Sequence, residues 1–130
     1  MKSVKDRKPI NQISTGDPHP WVKEFPARLV VIDRNNTIID LTEQAARVLS
    51  PGGGPDLLGR SVLGCHPEQA RAKLLELIQE QKTNIYTYTR EGQKYLVVQA
   101  PWTISGEFAG YFDLTIELPA NLPHFDRDSK

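Results

Sequence analysis

Tyr111-Phe112-Asp113-Leu114-Thr115-Ile116-Glu117-Leu118 alternates without a break. Phe112, Leu114, Ile116 and Leu118 share one face; Tyr111, Asp113, Thr115 and Glu117 share the other. A period of two over this length is that of a β-strand with unlike faces. Alternation groups the residues but leaves open which group faces a core. Just upstream, Asn84-Ile85-Tyr86-Thr87-Tyr88-Thr89-Arg90 and Lys94-Tyr95-Leu96-Val97-Val98-Gln99-Ala100 read as two more strands. Glu91-Gly92-Gln93 is the tight turn between them, with a glycine for positive φ. Pro101 removes a ladder donor, so a bulge or an edge is expected there before Trp102-Thr103-Ile104 resumes the strand. Ser105-Gly106-Glu107-Phe108-Ala109-Gly110 turns the chain into the last strand. The final third is a three-stranded meander.

Before the meander, Ala70, Leu74, Leu77, Ile78 and Gln81 recur at helical spacing. They predict a helix over residues 67–82, about 24 Å long, enough to cross a small sheet. Leu29-Val30-Val31-Ile32 and Thr37-Ile38-Ile39-Asp40-Leu41 flank Asp33-Arg34-Asn35-Asn36, a hairpin around left-handed-tolerant turn residues. The Thr42 hydroxyl caps the next short helix, whose buried side is Ala45, Ala46, Val48 and Leu49 and which ends at Ser50-Pro51. Pro51-Gly52-Gly53-Gly54-Pro55 is a connector; no strand enters it and no Lys-Ser/Thr follows, so it is not a phosphate loop. Trp21, Val22 and Phe25 suggest a short helix stopped by Pro26. The order predicts an α+β domain: one five-stranded antiparallel sheet with helices packed on one face.

The totals narrow the class. A chain of 130 residues suits one domain with its own core. Sixteen basic side chains balance sixteen acidic ones, which gives no footprint for nucleic acid or an anionic membrane. One cysteine excludes an intrachain disulfide and suits a reducing compartment. Met1-Lys2-Ser3-Val4-Lys5-Asp6-Arg7-Lys8 has no apolar signal-peptide core, and no run is apolar enough to span a bilayer. A bacterial, cytoplasmic protein is expected. Residues 1–20 read as a polar, proline-broken arm, residues 21–118 as the domain and residues 119–130 as a polar tail.

The order of elements and their local wording resemble the PAS domain family from Leu29 to about Leu118. Leu29-Val30-Val31-Ile32-Asp33-Arg34-Asn35-Asn36-Thr37-Ile38-Ile39 is similar to the family's opening hairpin. Leu41-Thr42-Glu43-Gln44-Ala45-Ala46 resembles the start of its first short helix, although an Asn is commoner where Thr42 or Glu43 stands. Leu57-Leu58-Gly59-Arg60-Ser61-Val62 resembles the step before the long helix, and Gly106-Glu107-Phe108-Ala109-Gly110-Tyr111 the Gly-rich turn into the final strand. Gly64-Cys65-His66-Pro67-Glu68 resembles a subgroup of small bacterial PAS proteins with Cys-His-Pro at the helix start. The resemblance implies a sensory or dimerisation module. Flavin, haem or a small metabolite would sit between sheet and long helix, and signalling would run through a homodimer or a separate partner protein. No output domain is legible in these residues, so the chain is expected to work alone, through a partner, or as an excised module.

The candidate ligand-binding residues are Cys65, His66, Leu74, Tyr86, Tyr88, Gln99 and Trp102. Cys65 and His66 stand at a helix mouth, where a thiol's pKa falls and where an imidazole has an open approach as an axial haem ligand. The blander account is favoured: His66 caps the helix, Gln69 bonds back, and Cys65 is a small buried apolar residue. The sequence around Cys65 lacks the Asn-Cys-Arg-Phe-Leu motif of flavin photoreceptors, so light sensing is not expected. No metal site is expected either, since His19 and His124 lie far from His66 in sequence. Tyr86, Tyr88, Gln99 and Trp102 either line the pocket with polar tips or pack on the outer face of the sheet as a dimer surface. Leu74 belongs to the helix that closes the pocket. An enzyme would have Asp113 and His66 as its only acid–base candidates, and nothing in the sequence joins them, so a non-enzymatic protein is expected. The absorption spectrum of the purified protein tests this reading: no Soret band is expected, and a band abolished by His66→Ala would establish haem instead.

Overall fold

A computed structural model describes residues 19–50, 56–65 and 68–128. Strands β1 (Arg28–Asp33) and β2 (Ile38–Leu41) form the first hairpin, followed by helix α1 (Glu43–Leu49). A 3-10 turn (Val62–Cys65) leads toward helix α2 (Glu68–Glu80), then β3 (Asn84–Arg90), β4 (Gln93–Ile104) and β5 (Glu107–Leu118). The five strands form one sheet in the order β2-β1-β5-β4-β3, with every neighbouring pair antiparallel. This is the α+β architecture expected from the sequence, with the first hairpin docked against the last strand.

Turn chemistry closes the hairpins. Asp33 Oδ1 accepts from the Asn35 and Thr37 amides at 2.8 and 3.0 Å, which leaves Asn36 at φ 63°. Glu91-Gly92 and Ser105-Gly106 each place two successive residues at positive φ, the backbone of the tight turns that match strand twist. Pro101 lies inside a continuous β4 rather than interrupting it. The β3 pairing ends at Asn84↔Gln99, so on that side Pro101 borders a sheet edge; the register slips just beyond it, between Trp102 and Thr103. Trp21, Val22 and Phe25 form hydrogen-bonded turns rather than the expected short helix, with the Val22 amide on the His19 carbonyl and the Phe25 amide on the Val22 carbonyl. Pro20 and Pro26 bracket too few residues for a helix to propagate.

Thr42 joins three elements. Its hydroxyl accepts from the Leu29 amide (3.1 Å) and the Ala45 amide (3.3 Å) and donates to the Ala27 carbonyl (2.6 Å), at 0% exposure. One donor and two acceptors are the whole capacity of a hydroxyl. The same side chain therefore caps α1 and ties it to the start of β1. On α1, Ala45 is buried, while Val48 is exposed rather than part of the buried side. The segment before α2 runs along β2: the Ile38 amide bonds the Arg60 carbonyl, and the Gly59 amide bonds the Ile38 carbonyl. Leu57 and Val62 are buried by that docking.

Helix α2 buries Leu74, Leu77 and Ile78, but Ala70 and Gln81 of the expected face are exposed. Gln81 stops the helix. It sits at φ 52°, its amide bonds the Ile78 carbonyl, and the Lys82 amide bonds the Leu77 carbonyl. That pair of bonds is a Schellman cap with a non-glycine residue in the left-handed position.

The core comprises Ile32, Ile38, Leu57, Val62, Leu74, Leu77, Ile78 and Tyr111, with Val30 packed against it. Val30 and Ile32 therefore face the helices. Val30 pairs with Asp113 and Ile32 with Tyr111, so the Tyr111–Asp113–Thr115 side of β5 is the helix side. Phe112, Leu114, Ile116 and Leu118 point to the other face, with Leu29, Val31, Leu96 and Val98. Tyr111 is 1% exposed, and its hydroxyl donates to the Lys82 carbonyl at 2.6 Å. On the outer face the Trp102 indole crosses Gly110 to donate to the Ile32 carbonyl at 3.0 Å. A Cβ at Gly110 would lie 2.5 Å from that indole nitrogen and would also collide with the Ile32 carbonyl oxygen, so only glycine fits.

Replacing Thr42 by its near-isostere valine keeps the volume and strands the Leu29 and Ala45 amides and the Ala27 carbonyl. A loss of roughly 2–4 kcal/mol is expected from cap removal plus unsatisfied buried groups. The midpoint of urea denaturation checks it.

Candidate functional site

The helix side of the sheet becomes polar away from Tyr111. Asn84, Gln99 and Asp113 are register neighbours on β3, β4 and β5. The Asn84 amide donates to Gln99 Oε1 at 2.9 Å, and the Gln99 amide donates to Asp113 Oδ2 at 2.8 Å. This chain satisfies three polar side chains that would otherwise be costly to cover. Toward the Arg28 end, the space between sheet and helices opens into a cleft.

The cleft has two chambers. The inner one, about 120 Å³, is walled by Val30, Ile32, Ala45, Leu49, Val62 and Leu74, with Arg28, Asp113 and Thr115 along its sheet side. The outer one, about 560 Å³, is bordered by Gln44, Arg47, Tyr88, Arg90, Tyr95 and Glu117. Arg28, Val48 and Thr115 line both, so the two chambers meet there. Between them stands the Arg28 side chain. Its Nη2 donates to the Tyr88 hydroxyl at 3.0 Å, and its guanidinium carbon lies 5.0 Å from the centroid of the Tyr95 ring. Tyr88 and Tyr95 are a direct cross-strand pair, stacked at 4.9 Å and 15°. The Arg90 guanidinium lies 6.0 Å over Tyr88. Among the described residues, no carboxylate lies within ion-pair distance of Arg28, Arg47 or Arg90, whereas Lys82 pairs with Glu80 at 2.8 Å on the surface.

The candidates from the sequence are distributed as follows. Leu74 lines the inner chamber and Tyr88 the outer one. Gln99 is the middle of the polar chain. Tyr86 is on the same face as Tyr88 and is 44% exposed. Trp102 is on the opposite face, held by the Ile32 carbonyl, because its place in the alternation is that of Val98 rather than Gln99; it touches neither chamber. His66, Pro67 and the Cys65 side chain lie outside the described residues, and the haem alternative lies there with them. Among the described residues, no group of three His, Cys, Asp or Glu side chains could hold a metal ion, and no helix is long and apolar enough to cross a membrane. Sequence reasoning missed Arg28, Arg47, Arg90 and Thr115. The available signal was parity: Arg28 lies two residues before Val30 and four before Ile32, which puts an arginine on the core-facing side of β1.

Two tyrosines on this side have raised pKa values. Burial raises Tyr111, and the nearby Asp113 carboxylate adds to the shift. Burial likewise raises Tyr86, followed by Asp113 and Tyr88.

Among solved structures, a C-terminal domain from Streptococcus mutans superposes with a TM-score of 0.62 at 17% identity, covering 85% of this chain and 90% of that one. A sensory box sensor histidine kinase from Vibrio cholerae matches with a TM-score of 0.56 at 10% identity, over 75% of this chain and 86% of that one. The PAS domain of Bordetella pertussis BvgS matches with a TM-score of 0.55 at 13% identity, over 73% and 79%. No protein-family model and no curated protein matches the sequence. At these identities the likeness is one of fold, and the fold is PAS-like.

A raised tyrosine pKa means that folding favours the neutral phenol. The associated stability is intact below the unfolded tyrosine pKa of about 10 and is lost as pH rises through the folded value. Denaturant midpoints measured across this alkaline range should fall for the native chain and fall less steeply for Tyr111→Phe, whose phenyl ring has no proton to lose.

Proposed function

We propose that this PAS-like domain is a sensory module that takes a small ligand into the cleft between sheet and helices and passes its occupancy on through dimerisation or a separate partner protein. The observation that carries this reading is the two-chambered cleft itself. An apolar cavity of about 150 Å³ is enough to accept benzene, and the inner chamber, at about 120 Å³, approaches that scale. Together with the outer chamber it falls within the usual range for small-molecule sites, about 300–1,000 Å³. The walls suit a sensor. The seven-residue α1 brings Ala45, Val48 and Leu49 to the ligand space, and Thr42 anchors its first turn to β1. A ligand that separates α1 from the sheet would be felt at both ends of that short helix. The sensor-kinase and BvgS PAS neighbours support a sensory role by fold.

A second reading, a dimerisation or interaction module, is favoured by the outer face. Leu29, Val31, Leu96, Val98, Phe112 and Leu114 lie together there, away from the helices, with Ile85 60% exposed beside them on β3. A large apolar face of this kind marks an interaction surface. The two readings are compatible, because a ligand on one face of a sheet and a second copy on the other are coupled through the same strands.

The test is a thermal-shift and native mass spectrometry screen of single-ring compounds against the native chain and Val48→Trp. Val48 is 53% exposed and lies where the chambers meet, so an indole there narrows the passage without disturbing the core. Ligands should raise the melting temperature of the native chain by a few degrees and leave Val48→Trp unmoved. Equal shifts in both, or none in either, would sink the cleft as the ligand site.

A further inference from the structure

Resting on the cleft as a ligand site, we propose that its ligand is an organic carboxylate, with the head group paired to Arg28 and a single ring or comparable alkyl group in the inner chamber. The starting point is the state of Arg28. It is half-buried, yet the groups holding it are neutral: the Tyr88 hydroxyl at 3.0 Å and the face of Tyr95 at 5.0 Å. A cation drawn out of water ordinarily has a counter-charge, because its lost hydration is otherwise uncompensated. None of the described carboxylates forms an ion pair with it. Two tyrosines thus fix the guanidinium in place. One of its five N–H donors is engaged by Tyr88, and among the described residues the others meet no further acceptor. A planar fork of N–H donors fixed in this way matches a planar carboxylate, which it grips through two parallel hydrogen bonds.

Position supports the same conclusion. Arg28 lines both chambers, with apolar walls on one side and the polar mouth on the other. A ligand whose charge meets Arg28 would have its carbon skeleton against Val30, Ala45, Leu49 and Leu74. The inner chamber, at about 120 Å³, limits that skeleton to roughly one ring. Arg47 and Arg90 border the outer chamber against one carboxylate there, Glu117; the other carboxylate of the cleft, Asp113, lies on the inner chamber with its Oδ2 on Gln99. The mouth is therefore cationic, although the chain as a whole is neutral. A concave cationic mouth concentrates anions.

The experiment uses the full chain and three matched probes in isothermal titration: phenylacetate, its neutral counterpart 2-phenylethanol, and benzylphosphonate. Phenylacetate should bind at least about ten-fold more tightly than 2-phenylethanol, the scale of one charge-assisted contact. Arg28→Gln should remove that advantage, weakening phenylacetate far more than 2-phenylethanol. Arg28→Lys keeps the charge without the fork and should fall between the two, which guards against a packing effect of losing the guanidinium from Tyr95. Arg47→Gln and Arg90→Gln, both exposed, should weaken phenylacetate only a few-fold, and less at high salt. Equal affinity for phenylacetate and 2-phenylethanol, or an unchanged phenylacetate affinity in Arg28→Gln, overturns the carboxylate assignment while leaving the cleft as a ligand site. Tighter binding of benzylphosphonate than phenylacetate also overturns it, in favour of a phosphorus oxyanion. Binding of none of the three removes both the assignment and the cleft reading.

Discussion

The Tyr111 phenol determines which way the sheet faces. It is almost wholly buried on β5, the central strand between β1 and β4, opposite Ile32. Its hydroxyl reaches the Lys82 carbonyl, directly after the Schellman cap that ends α2. A buried phenol must place its hydroxyl on an acceptor, and here the acceptor belongs to the end of the helix that covers the sheet. Tyr111 thereby ties the central strand to the end of α2 and gives β5 its parity. Once Tyr111 faces the helices, so do Asp113 and Thr115, and through the register so do Gln99, Val97 and Tyr95, then Asn84, Tyr86 and Tyr88.

That parity gives the protein an unusual distribution of polarity. The helix side is apolar around Val30, Ile32 and Tyr111, where Leu74, Leu77 and Ile78 add their weight. Beyond it the same face carries Asp113, Gln99 and Asn84 in a hydrogen-bonded chain, then Arg28 held against the stacked pair of Tyr88 and Tyr95. The inner chamber opens where Arg28, Asp113 and Thr115 of the sheet meet the apolar side chains of α1 and Leu74 of α2. The apolar alternates of β5 lie on the opposite face, where no helix of the described chain covers them. Cleft and outer surface are thus consequences of one alternation, and any signal between them has only the thickness of the sheet to cross.

Much of the framework was legible because it is local. Asp33-Arg34-Asn35-Asn36, Glu91-Gly92 and Ser105-Gly106 carry their turns in their own backbone preferences, and Thr42 declares a helix start. The Trp21 to Phe25 turn was misread as a helix because apolar spacing says nothing about the two prolines that confine it. Pro101 was legible as an anomaly, but the reason it is tolerated, the end of β3, is a matter of neighbouring strands. The site was less legible. Leu74, Tyr88 and Gln99 stand out as residue types, whereas Arg28 lies just outside the apolar run Leu29-Val30-Val31-Ile32 that marks the strand. Its importance depends on Tyr88, sixty residues away, and on Tyr95 beside it.

By itself, the sequence determined the elements, their antiparallel arrangement and which residues travel together: Tyr111 with Asp113 and Thr115, Phe112 with Leu114 and Ile116, Tyr86 with Tyr88. Side-chain alternation is a property of the extended backbone and needs no partner. Tertiary structure alone decided which of those sets meets the helices, and with it that Arg28 faces a cleft and Trp102 does not. A strand's two faces are interchangeable until something docks on one of them. Here that choice was made by Val30 and Ile32 packing in the core, by the β1–β5 register, and by one phenol reaching the end of α2.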